Sequence, residues 1–166
     1  MTGCINYSRR FYDETLKDPA TASPLVFPET VFNAPSSHLA AAFGTTARNY
    51  TLVGDQGTFL QGLALAASWL LAGSVDACLV IGAEEMDWLI ADAFRLFDRR
   101  LISSEGAGAV YLKAEGRGPK AEVIAQLAAV TDSYLFFDNQ SRAVAARKMR
   151  AQLDGAAGEL LCDGLQ

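Results

Sequence analysis

The sequence has a single histidine, His38, in 166 residues, and this scarcity limits the chemistry that it can support. Cysteine is scarce as well. Cys4, Cys78 and Cys162 lie far apart and form no CxxC or Cys/His cluster of the kind that binds zinc. We therefore expect no metal and no cofactor, and we expect three free thiols in a reducing cytoplasm.

Long apolar runs and basic runs are also missing. The longest apolar stretch, residues 59–72, is interrupted by Gln61, Gly62 and Ser68 and is shorter than the roughly 20 residues that cross a bilayer. Residues 1–3 open no signal peptide. The net charge is -5 and no run of Lys or Arg occurs, which argues against nucleic acid or an anionic membrane as a partner. We expect a cytoplasmic protein without a membrane span.

Apolar residues are abundant enough for a folded domain. Hydrophobic residues make up 51% of the sequence and charged residues 20%, which excludes intrinsic disorder. Segments of helical and strand-like pattern alternate along the chain and predict the α/β class. The predicted helices cover residues 9–17, 36–43, 58–72, 87–97 and 139–153, and the predicted strands cover 49–54, 75–82, 106–113, 121–130 and 159–162.

Turn residues and charge patterning refine these elements. Ser8 is the expected N-cap of the first helix, and Gly44 and Gly73 are the expected ends of the next two. Strand, helix and strand over residues 49–82 predict a parallel βαβ unit with a right-handed crossover. Its helix carries no charged residue, so we expect it between two layers. The strands at 106–113 and 121–130 predict an antiparallel hairpin.

Several motifs together resemble the β-ketoacyl synthases of the thiolase superfamily. Residues 23–28 (SPLVFP) resemble the helix that precedes the active-site region of that family. Residues 73–84 (GSVDACLVIGAE) are similar to the strand that follows the nucleophile helix and ends in Gly-Ala-Glu. Residues 97–98 (FD) and 104–112 (SEGAGAVYL) resemble the family's Phe-Asp and Gly-Glu-Gly-Ala segments. The resemblance covers most of residues 23–130.

The resemblance implies a partial thiolase-like fold with αβαβα layers. Residues 1–115 would form the later part of the N-terminal half, and residues 116–166 the start of the C-terminal half, of one incomplete domain. An incomplete parallel sheet exposes strand edges and a helix face. We therefore expect either a longer polypeptide or another chain to complete the fold, and we favour the longer polypeptide.

The family's nucleophile position falls on Gln56 when the Gly-Ala-Glu segment is aligned. Ketosynthases carry a cysteine there, at the N-terminus of the buried helix, where the helix dipole lowers the thiol pKa. Gln56 cannot form a thioester, and its neighbour Asp55 is not a cysteine either. Two interpretations of Gln56 stay open: a residue that bonds nearby backbone, or an amide that fills the space of the acyl-cysteine. Chain-length-factor subunits also carry Gln at this position.

For the other polar residues, a structural role is preferred to a catalytic or binding role. His38 matches neither family histidine, so we expect a hydrogen-bonded structural histidine. Asp55 is expected to accept helix amide groups rather than to act as an acid or base. Glu84 and Glu85 are expected to be buried and bonded to backbone. For residues 98–100 (DRR), a solvated salt-bridged turn is preferred to an acyl-carrier-protein contact, and the basic helix 139–153 has the same two interpretations.

Dimerisation is implied by the resemblance as well. Family members pair the strand before the nucleophile across a two-fold axis, which makes Thr51 and Val53 interface candidates. The expected partner is a ketosynthase-type subunit or a second copy, in a heterodimer or homodimer, and an acyl carrier protein is a further expected partner. The leading hypothesis is a noncatalytic, chain-length-factor-like protein of fatty-acid or polyketide assembly. An acyltransferase or malonyl-thioester decarboxylase, with missing segments supplying histidines, and a structural or decayed homologue are the alternatives.

Overall fold

The structure, a computed structural model, describes residues 4–54, 57–100, 102–115 and 123–153. The chain divides into two compact units, Met1–Gly118 and Pro119–Gln166. The first unit contains the helices α1 (Ile5–Lys17), α2 (Ala34–Ala42), α3 (Thr58–Leu71) and α4 (Trp88–Phe97), a 3-10 turn (Phe27–Thr30), and the strands β1 (Ala77–Glu84) and β2 (Gly106–Lys113). The second unit contains α5 (Asn139–Arg150). This mixed content agrees with the predicted α/β class.

The helix ends follow the predicted turn residues, except at the start of α1. Gly44 and Gly73 adopt φ angles of 60° and 65° after α2 and α3, a left-handed conformation that glycine adopts without steric cost and that ends a helix. α1 was predicted to start after Ser8, but it begins four residues earlier with Cys4 at the N-cap. Cys4 itself has a φ of 69°, and its thiol donates to the carbonyl of Val31 at 3.5 Å. That long-range contact, which no local pattern encodes, accompanies the earlier start.

The described strands form one antiparallel pair. β1 and β2 pair in a continuous register from Ala77 opposite Lys113 to Glu84 opposite Gly106. The predicted parallel βαβ unit is wrong for the described residues, because residues 49–54 belong to no strand. A strand requires a neighbour to complete its ladder of hydrogen bonds. The segment contacts α3 instead, through the ring of Tyr50, which meets that of Trp69 edge-on with 6.1 Å between the ring centres.

The predicted hairpin between 106–113 and 121–130 is also wrong where it can be described. Residues 123–130 form no strand, and β2 pairs with β1. In the described part of the second unit no other strand is present to pair with this segment. Residues 121–122 and the predicted strand 159–162 lie outside the described residues.

Helix α3 packs against one face of the strand pair, and glycines allow the close approach. A Cβ on Gly82 would lie 3.0 Å from Cδ2 of Phe59, and a Cβ on Gly62 would lie 3.3 Å from Cγ1 of Val80. The prediction that α3 lies between two layers is wrong for the described residues, since Leu60 and Leu71 are exposed. The layered αβαβα arrangement is therefore not formed by the described elements.

Few side chains of the described residues are buried, and many large apolar ones are exposed. The buried apolar residues are Cys4, Val26, Ala34, Ala66, Leu70 and Ala145. On the sheet, Leu79 and Ile81 and the residue opposite Leu79, Tyr111, are exposed. On α4, Leu96 and Phe97 are 86% and 87% exposed. Uncovered apolar surface of this extent is typical of a surface that another segment or another chain covers.

The second unit is a capped helix with side chains from the preceding segment folded against it. Asp138 and Ser141 form a reciprocal capping box at the start of α5, and the Ser141 hydrogen bonds lower the pKa of Asp138. The basic side chains of α5 partly engage aromatic rings: Arg142 lies 6.0 Å from the ring centre of Phe136. Within the described residues, no helix combines the length and apolarity needed to cross a membrane.

Candidate functional site

The N-terminus of α3 lies at the C-terminal end of β1. Phe59, in the first turn of α3, contacts Gly82 near the end of β1, whereas Ala66, farther along the helix, faces Cys78 near the strand's start. The helix and the strand therefore run in opposite directions. Because the strand pair is antiparallel, this edge holds the end of β1, the start of β2 and the start of α3.

The two residues predicted for the nucleophile position, Gln56 and its neighbour Asp55, lie outside the described residues. Their roles stay predictions. The flanking residues are described. Gly54 passes so close to the Oγ1 atom of Thr58 that a Cβ at position 54 would collide with it, which explains glycine there. α3 then starts from Gly57 without a side-chain cap.

The hydroxyl of Thr58 is a feature that the sequence analysis missed. Its Oγ1 atom is buried and, among the described residues, has no hydrogen-bond partner. A buried hydroxyl without a hydrogen-bond partner costs free energy of folding. Thr58 is the first residue of α3, so this hydroxyl lies at the helix end to which the nucleophile position was assigned. A threonine at a helix start is unremarkable in sequence, so no pattern identified it in advance.

Neither described thiol is activated. Burial raises the pKa of Cys4, and the nearby carboxylates of Glu85 and Glu29 raise it further. Burial also raises the pKa of Cys78, whose sulfur lies 4.0 Å from the carbonyl oxygen of Ala66 in the middle of α3. Both are free cysteines, as predicted, and a raised pKa leaves less of the nucleophilic thiolate at neutral pH. Cys162 lies outside the described residues.

The carboxylates that follow β1 have structural contacts. Glu85 accepts a hydrogen bond from the backbone N–H of Asn6 at 3.1 Å, which confirms the predicted bond to backbone. Glu84 is exposed, so its predicted burial is wrong. Glu84 is the last residue of β1 and of its pairing with β2. Glu105 accepts from the N–H of Met86 at 3.3 Å.

The contact between the buried carboxylate of Asp87 and Arg9 was not predicted. Asp87 is 4% exposed and is the N-cap of α4, where its Oδ1 accepts from the N–H of Leu89 at 2.9 Å. Its Oδ2 accepts from Nε of Arg9 on α1 at 2.6 Å. An Asp before a helical pattern indicates a cap, but nothing local indicates an arginine 78 residues away.

His38 is hydrogen-bonded to a carboxylate. Nε2 of His38 lies 2.8 Å from a carboxylate oxygen of Glu29, so the predicted hydrogen-bonded histidine is confirmed, although its side chain is exposed.

The two interface candidates differ in exposure. The hydroxyl of Thr51 lies 3.1 Å from that of Ser36 on α2. Val53 is 52% exposed. Only Val53 of the two candidates therefore presents its side chain mainly to the surroundings.

The turn after α4 is a salt-bridged turn, as predicted. Arg100 donates to Asp98 through its backbone N–H, its Nε and its Nη2, at 2.9, 3.2 and 3.1 Å. These hydrogen bonds lower the pKa of Asp98. A carrier-protein contact at this turn stays a prediction. Among the described residues, no group of three or more His, Cys, Asp or Glu side chains could hold a metal ion.

Comparison with known proteins supports the fold. No family model and no curated protein matches the sequence. A solved structure described as "The ishigamide ketosynthase/chain length factor" is similar to this chain with a TM-score of 0.57 and 19% sequence identity. The fold is ketosynthase-like. The similarity covers 69% of this chain and 34% of that structure, so the chain spans about a third of the length of its ketosynthase-like neighbour.

Proposed function

We propose that the chain is a noncatalytic, chain-length-factor-like component of polyketide assembly that acts with a ketosynthase-type partner in the cytoplasm. The observation that carries the proposal is the similarity in fold to a ketosynthase/chain length factor. The residue at the aligned nucleophile position, Gln56, supports the noncatalytic role because an amide cannot form a thioester.

The state of the described thiols supports the same proposal. A condensing enzyme requires a thiolate near neutral pH, and enzymes obtain it by lowering the thiol pKa. In Cys4 and Cys78 the shift has the opposite direction, because burial disfavours the charged form. Neither described cysteine therefore substitutes for the nucleophile that position 56 lacks.

We expect a thiol placed at position 56 to react quickly and the native thiols to react slowly. In a Cys162→Ser background, Gln56→Cys introduces a thiol at the proposed helix N-terminus, where the helix dipole favours thiolate. We expect iodoacetamide at pH 7 to modify it at least about tenfold faster than Cys4 or Cys78, since one pKa unit changes the thiolate fraction about tenfold. Mass spectrometry of peptides taken at timed intervals measures the rates.

The matched control for this reaction is Ser74→Cys in the same background. Ser74 is exposed just past the other end of α3, where the dipole disfavours a thiolate. If Cys at position 56 reacts no faster than Cys at position 74, the assignment of the nucleophile position to the N-terminus of α3 is wrong. Rapid labelling of Cys4 or Cys78 in the folded protein would contradict the burial of those thiols.

The proposed contact with the partner is the segment before α3. Tyr50 and Val53 are 67% and 52% exposed, and residues 50–54 form no ladder with another described strand. A segment that has no ladder partner and exposes apolar side chains can gain hydrogen bonds and apolar contacts by pairing with a second chain. The proposed partner is a ketosynthase-type subunit in a heterodimer. The alternative partner is a second copy of this chain in a homodimer. An acyl carrier protein is proposed as a ligand of the completed assembly.

An aspartate at position 53 is expected to weaken this association. Val53→Asp would place a charge in the centre of the proposed pairing and would weaken binding at least about tenfold, since an unpaired buried charge costs several kcal/mol. Light scattering after size-exclusion chromatography, with the chain alone and co-expressed with a ketosynthase, measures the assembly. Val31→Asp is the matched control because Val31 is also exposed, at 42%, but lies outside the segment. Equal loss of assembly in both variants, or none in Val53→Asp, would contradict the proposed interface.

The alternatives differ from this proposal in what the natural subunit contains. An acyltransferase or malonyl-thioester decarboxylase would require histidines beyond the one in these 166 residues. A structural or decayed homologue would bind neither a ketosynthase nor an acyl carrier protein. The intact mass of the subunit from its natural source, together with the mass of its native complex, distinguishes the three.

A further inference from the structure

An arginine-lined cleft lies between α4 and the residues that follow it. Its volume is about 270 Å³, and Arg95, Arg99 and Arg100 contribute to its walls. Three of the 14 basic residues of the sequence therefore lie at one cleft. This cleft lies outside the helix N-terminus and the dimer segment considered above.

Two of the three guanidinium groups are already held by carboxylates. Nη1 of Arg95 lies 3.4 Å from Asp92, and Nε and Nη2 of Arg100 donate to Asp98. Each guanidinium has five N–H donors, so both arginines keep donors that these contacts do not use. The bidentate contact with Asp98 also restricts the orientation of Arg100.

Arg99 is the guanidinium of the cleft whose N–H donors no described side chain uses. Among the residues that the structure describes, the side chain of Arg99 has no hydrogen-bond or ion-pair partner. Three carboxylates lie beside the three arginines: Asp92, Asp98 and Glu105, and the last accepts from the N–H of Met86 in the cleft wall. What the cleft offers a ligand is therefore the unused N–H donors of Arg99 rather than an excess of charge. A ligand that complements this arrangement is an anion with several acceptor oxygens.

We propose that the cleft binds the phosphate group of a phosphate ester. A phosphate presents three acceptor oxygens and can bond the free donors of more than one guanidinium group, whereas a carboxylate presents two. The hydroxyl-bearing Ser103 lines the same cleft, and Met86 and Ile102 give it an apolar wall that suits the carbon part of an ester. The volume of the cleft exceeds that of a single ordered water several-fold, which leaves room for both parts.

The test is a titration with matched anions at constant ionic strength. Phenyl phosphate is the probe, and benzoate is its carboxylate counterpart with the same ring. We expect saturable binding of phenyl phosphate, followed by ³¹P NMR and isothermal titration calorimetry, and at least about tenfold weaker binding of benzoate. The affinities for a phosphoserine peptide and for inorganic phosphate are then compared. Tighter binding of the peptide indicates a phosphate carried on a protein, and tighter binding of inorganic phosphate indicates a free phosphate.

Arginine variants locate the binding. Arg99→Gln should weaken phenyl phosphate binding about tenfold, because a hydrogen bond between charged groups is lost, and Arg99→Lys should recover part of it. Arg48→Gln is the matched control, since Arg48 is exposed and does not line the cleft. The proposal is overturned if benzoate binds as tightly as phenyl phosphate, if no saturation occurs, or if the variants at positions 48 and 99 lose equal affinity.

Discussion

Gly82→Val is expected to destabilise the first unit by about 1–3 kcal/mol, the usual cost of overpacking a well-packed contact. The Cβ alone would lie 3.0 Å from the ring of Phe59. Valine adds two methyl groups to that Cβ, so either the ring or α3 has to move. The measurement is urea unfolding of the wild type and the variant, followed by far-UV circular dichroism.

The strand pair offers a matched control for this change. Gly108 is directly opposite Gly82 in the register, but a Cβ on Gly108 would have nothing within 4 Å. Valine favours a strand over glycine, so Gly108→Val should leave stability unchanged or raise it. In a Phe59→Ala background, the cost of Gly82→Val should largely disappear, because the clashing ring is gone. Equal effects at positions 82 and 108 would show that the contact between β1 and α3 is not as described.

The loss of the Asp87 carboxylate is expected to cost about 2–3 kcal/mol. Asp87→Ala removes an N-cap, worth about 1 kcal/mol, and a hydrogen-bonded ion pair with Arg9 in which the carboxylate is buried. The arginine is 39% exposed and can be solvated when its partner is lost, so the cost should stay below that of an isolated buried charge. Unfolding in urea measures this change as well.

Two further variants separate the contributions of Asp87. Asp87→Asn keeps a capping oxygen but removes the charge, and we expect an intermediate loss. Asp92→Ala removes an exposed carboxylate that pairs with Arg95 on the same helix, and it should change stability by no more than about 0.5 kcal/mol. If Asp87→Ala costs no more than Asp92→Ala, then the contact with Arg9 does not stabilise the first unit.

The sequence predicted well the helix ends that local interactions determine and the positions of β1 and β2, but not that these two strands pair with each other. α3 and its end at Gly73 depend on residues within one helix, and so does the end of α2 at Gly44. The segments 49–54 and 123–130 have strand-like composition, yet neither forms a strand in the described residues. Strand formation depends on a neighbour, and the neighbour is a property of the whole fold rather than of the segment.

The candidate site was predictable only in part, for the same reason. The helix α3 follows from the sequence, but the proposal that a site lies at its N-terminus, at Gln56, depends on resemblance to a family. The pair Arg9 and Asp87 could not be found by any periodicity, because 78 residues separate its members. Likewise, the unpartnered hydroxyl of Thr58 depends on burial in three dimensions.

The contacts of α1 have a consequence for the order of events during synthesis. Its N-terminal amide at Asn6 is bonded by Glu85, 79 residues later, and its Arg9 by Asp87. At about 5–20 residues per second, a ribosome needs roughly 3–14 s to add those partners after α1 has been made. A helix of 13 residues is marginal by itself in water. The contacts that join α1 to the residues after β1 can therefore form only after that interval, and until then the helix has only nearer partners, such as the ring of Phe27 against that of Phe11.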